Sequence, residues 1–129
     1  GGSQIADLSN AFTFGSDIAN ADSNTEAFNT IYKLFVETYG EENATAWNGA
    51  ALDCLYTLLE VMKGAGSVDV EAVRTYYSTM ESVETLFGTG VKGGQETFGN
   101  DHAISHPNHA LKAEGGKIVY IDTYECIVP

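Results

Sequence analysis

The stretch 46-AWNGAALDCLYTLLEVMKGAGSVDVEAVRTYYSTM-80 decides how the chain folds. Its first part predicts a long helix, from about Ala44 to Lys63, closed by Gly64. Trp47, Ala51, Leu55, Leu58 and Met62 recur at the helical period, and Leu52 and Leu59 widen the stripe. A face this broad calls for burial on more than one side, and it places Cys54 among buried thiols. Asp69 then offers a short carboxylate to the exposed N–H groups of a further helix, running through Val70, Val73, Tyr77 and Met80. Of Tyr76 and Tyr77, one is expected to be exposed and one buried.

Upstream, 11-AFTF-14 reads as a short strand with Phe12 and Phe14 on one face. In 23-SNTEAFNTIYKLFVETYG-40, Ser23 and Glu26 have the spacing of a capping box. Phe28, Ile31, Tyr32, Phe35 and Tyr39 then follow at helical spacing, and Gly40 supplies a left-handed stop. Downstream, 88-GTGVKGGQETFGN-100 is Gly-rich, with a short strand expected around Gln95 to Phe98. It lacks the Gly-Lys-Ser/Thr ending through which a phosphate-binding loop works. The stretch 109-HALKAEGGKIVYID-122 predicts a hairpin turning at Glu114-Gly115-Gly116. The order is strand, three helices, then short strands. That is an α/β pattern whose helices need more sheet than these strands supply, as in part of a larger structure.

Charge narrows the partners. The chain has 18 acidic against 6 basic residues and a net charge of -12. Without a cluster of Lys or Arg, both nucleic acid and an anionic membrane surface are poor partners. No apolar run approaches the ~18 residues of a membrane span. Gly1-Gly2-Ser3 reads as a cut end, and Cys54 and Cys126 do not decide the redox compartment.

The succession of segments carries a resemblance. A helix ending Tyr39-Gly40 leads through an acidic linker to the Ala-rich helix, then to 68-VDVEAVRTYYSTM-80. A Gly-rich stretch, Thr97-Phe98, a His-bearing loop and 115-GGKIVYID-122 complete it. From about residue 8 to 122 the chain resembles the C-terminal portion of type I periplasmic substrate-binding proteins, of the branched-chain amino acid and amide group. The resemblance implies part of a periplasmic binding protein-like I fold within the single 1–129 piece. Residues 8–40 would end the second lobe and 41–47 form a hinge crossing. Residues 48–108 would pack on the first lobe, and 109–129 would be the return hairpin and tail. It further implies a truncated or proteolysed piece of an extracytoplasmic (periplasmic or extracellular) receptor. Such a receptor captures an amino acid, amide or related carboxylate for an ABC-transporter permease, without a cofactor. Trp47 and Thr45, at the crossing, would touch ligand. This chain alone would bind weakly or not at all, and its bare helix faces would associate with a second copy or with the missing N-terminal part. Where relatives carry Gly-Tyr-Asp-Ala, this chain has 49-GAAL-52 with Asp53 displaced, which leaves the ligand open.

Two alternatives stand beside this reading. One is a ligand-sensing regulatory domain of the same fold. The other is a metal-binding protein using His102, His106 and His109 with Asp101, all within 100-NDHAISHPNHALKAEGGKIVYID-122. His102 and His106 have the i, i+4 spacing of helical zinc ligands, but Pro107 disfavours a helix there, so a solvent-exposed connector is the plainer expectation. Asp53 is first a solvated or capping carboxylate and second a functional one. No nucleophile elbow or paired carboxylates point to catalysis.

Overall fold

The computed structural model describes residues 12–15, 24–43 and 46–129. Helix α1 (Glu26–Tyr39) begins at Thr25, whose Oγ1 accepts from the Phe28 N–H at 3.0 Å. The same hydroxyl donates to the Leu86 carbonyl at 2.8 Å, so one side chain caps the helix and ties it to a distant turn. The cap is therefore Thr25 and not the expected Ser23–Glu26 box; Ser23 lies outside the described residues. At the other end Gly40 has φ 86° and ψ 150°, and its N–H still reaches the Val36 carbonyl. The chain leaves the helix extended, through a positive φ that glycine tolerates, and not by a left-handed turn.

Helix α2 (Ala46–Ala65) runs past Gly64, the expected stop. A Cβ at Gly64 would strike the ring of Tyr76, so this glycine permits close packing. Gly66 is the residue that turns, at φ 61°. The buried face of α2 also differs from the expected stripe. Asp53 and Val61 are buried and Leu52 and Tyr56 half-buried, whereas Leu55 and Leu59 stay 55% and 53% exposed. Cys54 is exposed as well, contrary to the expected buried thiol. The reason is that α2 is held from two sides. Leu52 and Tyr56 pack against Phe28, Leu86 and Phe87, while Val61 joins Met80 and Val83. This turns Ala51, Leu55 and Leu59 outward. Each side chain buried in these clusters contributes about 1.5–3 kcal/mol.

Helix α3 (Val70–Thr79) begins as expected, with Asp69 Oδ1 accepting from the N–H groups of Glu71 and Ala72 at 3.1 and 3.0 Å. Tyr76 and Tyr77 are both half-buried against the Val61 cluster, where one exposed and one buried ring was expected. Strands β2 (Ser82–Thr85), β3 (Gly88–Gly93) and β4 (Ala103–Ser105) form one antiparallel sheet in the order β2-β3-β4. Residues 95–98 form not a strand but a single helical turn, α4 (Gln95–Phe98), set between Gly94 at φ 105° and Gly99 at φ 74°.

The second sheet has the order β1-β5-β6, from β1 (Phe12–Gly15), β5 (Asn108–Glu114) and β6 (Lys117–Tyr124). The expected hairpin is present, with Gly115 and Gly116 at φ 58° and 76° in the mirror-image turn that suits strand twist. The strand expected at 11–14 is also present, and Phe14 pairs with Ala110. Among the described residues the fold is thus mixed α/β, with four α-helices and two small sheets, and every pairing is antiparallel. The tail after β6 crosses to the first sheet. The Val128 carbonyl accepts from Gly94 N–H, and the Pro129 carbonyl accepts from Glu96 and Thr97.

Candidate functional site

Helices α2 and α3 and the edge strand β4 enclose an open cavity of about 760 Å³. Its size falls in the range of small-molecule pockets. Leu58, Val61, Val73 and Ile104 give it apolar walls, and Phe87 lines it as well. Asp53, Tyr77, His102 and His106 add polar groups, and Cys54 also lines it.

Asp53 is 9% exposed. Its Oδ1 accepts the Leu86 N–H at 2.6 Å, which satisfies a backbone donor in the turn between β2 and β3. Burial pushes its carboxyl above the usual aspartate range, opposed by the Leu86 hydrogen bond and the nearby His106. Asp53 is thus neither simply solvated nor only a cap; it is a buried carboxylate on a cavity wall. His106 stacks on Phe87 at 4.9 Å between ring centroids, and its Nδ1 faces the Pro107 carbonyl at 2.9 Å. A carbonyl only accepts, so Nδ1 carries the proton there and Nε2 is the ring's other polar atom. Tyr77 donates its hydroxyl to the His102 carbonyl at 2.7 Å. Burial raises the Tyr77 phenol, with the Lys92 ammonium working against that and Asp101 adding to it.

The three histidines of the metal alternative do not converge. His102 is exposed and 3.7 Å from Asp101 Oδ1, and His106 turns to Phe87. His109 is 2% exposed within β5, facing Tyr120 and Thr123 of β6. No group of three His, Cys, Asp or Glu side chains is placed to hold a metal ion among the described residues. Nor is the segment a plain connector, since β4 and the start of β5 lie within it. The Asp101 carboxylate is engaged instead by Lys92, at 3.0 Å.

Of the expected ligand contacts, Thr45 lies outside the described residues. The backbone of Trp47 occupies the first turn of α2, one turn before Ala50 at the cavity. The signal that could have found Asp53 is its isolation as the only acidic side chain between Ala46 and Leu59, one turn before Thr57, which also lines the cavity. Comparison of the chain with protein-family models, curated proteins and solved structures finds no match. No described helix is long and apolar enough to cross a membrane.

Proposed function

We propose that this chain is the C-terminal piece of an extracytoplasmic solute-binding receptor that captures a small ligand for an ABC-transporter permease. The observation that carries the reading is the cavity between α2, α3 and β4, with apolar walls and a few polar groups at Asp53, Tyr77 and His106. Such a composition suits a small molecule whose apolar part is sheltered and whose polar end is oriented. The segment 41–47, proposed as a hinge crossing, leads directly into the helix that carries Asp53. Closure around ligand would follow from tighter binding to the closed arrangement.

The outward side chains of Leu55 and Leu59 on α2 support the proposed association with a second copy or with the N-terminal part of the receptor. Because this chain supplies only part of a cleft, we expect a dissociation constant of about 1 mM or weaker for the isolated 129 residues. Heteronuclear NMR titration with a panel of amino acids, amides and simple amines tests this. Saturable shifts at Asp53 and Leu86, with slower alkylation of Cys54 as the cavity fills, are the expected result. A panel that moves neither readout at concentrations well above about 1 mM overturns the cavity reading, and micromolar binding of an amino acid overturns the reading of the chain as only part of a cleft.

A further inference from the structure

We infer that the cavity selects a ligand bearing a primary ammonium group on an apolar body, with Asp53 as its counter-ion. The inference rests on the proposed binding role of the cavity and narrows the class of ligand. It begins with the balance of charges on the cavity wall. Arg74 is paired with Glu71 at 3.0 Å, and His102 has Asp101 at 3.7 Å. The Arg74 guanidinium is therefore already answered by a carboxylate and the His102 ring has one beside it, while His106, whose Nδ1 is engaged by the Pro107 carbonyl, is the cavity imidazole that lies near Asp53. Among the described residues, Asp53 is the one acidic side chain lining it, and its carboxylate makes a single hydrogen bond, to a neutral backbone N–H. No Lys or Arg pairs with it among the described residues.

A buried carboxylate has room for several donors and gains most from a charged one. An ammonium delivered by the ligand would supply both charge and donors in a place that water reaches poorly. Phe87 and Tyr77 present aromatic rings on the same cavity, and aromatic faces attract cations. Leu58, Val61, Val73 and Ile104 would shelter the rest of the molecule. The net charge of -12 favours the approach of a cation over that of an anion. A ligand carboxylate, by contrast, would meet Arg74 and His102 only where Glu71 and Asp101 already oppose it.

The test compares three probes of one shape: 3-methylbutylamine, 3-methylbutan-1-ol and 3-methylbutanoate. Each is titrated into the full chain and read by the amide signals of Asp53 and Leu86 and by the alkylation rate of Cys54. The amine is expected to bind at least tenfold more tightly than the alcohol or the carboxylate. Asp53→Asn keeps an oxygen acceptor for the Leu86 N–H while removing the charge. This variant should retain the fold by circular dichroism and lose the amine preference. Equal binding of amine and alcohol by the wild-type chain overturns the counter-ion role while leaving the cavity reading intact. Absence of binding by all three probes at concentrations well above about 1 mM overturns both. The wild-type comparison decides the matter even if Asp53→Asn fails to fold.

Discussion

Lys92 Nζ lies 3.0 Å from Asp101 Oδ2, joining a lysine side chain that is 5% exposed to a carboxylate largely in water. The ammonium also donates to the carbonyls of Tyr77 and Ser78, at 3.1 and 2.7 Å, and sits 5.7 Å from the centre of the Tyr77 ring. Those carbonyls belong to the last turn of α3, where no intrahelical donor remains and a cation is favoured. Lys92→Ala is expected to cost about 2 kcal/mol, chiefly through these charged hydrogen bonds. Urea unfolding measures it. A loss no larger than that of an exposed Lys33→Ala control would remove the capping role.

Asp53 and Asp101 should give opposite pH dependences. The hydrogen bond from Lys92 holds the Asp101 carboxyl below the usual range, so its stabilising contribution is present above the ordinary aspartate pKa and fades as pH falls through the folded value. Burial raises Asp53, so the folded state favours its neutral form; that contribution is complete below the ordinary pKa and is lost as pH rises through the raised value. At neutral pH, Asp101→Asn should therefore destabilise the chain and Asp53→Asn should not. Both differences from wild type should shrink in acid. Unfolding free energies at neutral and acid pH decide this, and two variants moving in the same direction would contradict it.

Gly90 has no room for a side chain. A Cβ there would come within 2.6 Å of Ile104 Cγ2 and 2.8 Å of Thr85 Cγ2, between the strands of the first sheet. Gly90→Ala is expected to cost about 1–3 kcal/mol through overpacking. Adding Ile104→Ala should recover part of that loss, because the two sites share one space. Strict additivity in thermal unfolding would show that the strands move apart freely.

The outward leucines of α2 predict association. Leu55→Lys with Leu59→Lys should leave the helical circular dichroism signal intact, since both side chains are more than half exposed. Native mass spectrometry should show self-association of the wild-type chain at high concentration and less of it for the double variant. A wild-type chain that is monomeric throughout would remove a second copy as the partner.

The elements legible in the sequence are those fixed by neighbours along the chain. Asp69 opens α3 through amides two and three residues away, and Gly115-Gly116 turns the β5–β6 hairpin. The cavity was much less legible. Asp53 is buried because the Leu86 N–H, 33 positions away, takes its oxygen, and a helical-period stripe carries no trace of that contact. The same packing turns Leu55 and Cys54 outward. The histidine segment, expected as an exposed connector, differs for a related reason. Three imidazoles close in sequence end in separate surroundings once strand pairing sends His109 into β5 and Phe87 draws His106 aside.

The crossing of the tail to α4 is made entirely through main-chain carbonyls. A Cβ on Gly93 would collide with the Val128 oxygen, so the fit is set on the receiving side, by glycine, while the side chains of Val128 and Pro129 donate and accept nothing there. The contact is accordingly blind to the identity of the residues it holds. It also comes with a built-in reporter, because the amides of Gly94, Glu96 and Thr97 should gain and lose protection from deuterium exchange together. Their common rate would record how often the tail after β6 lets go of α4 and the end of β3, without any label on the chain.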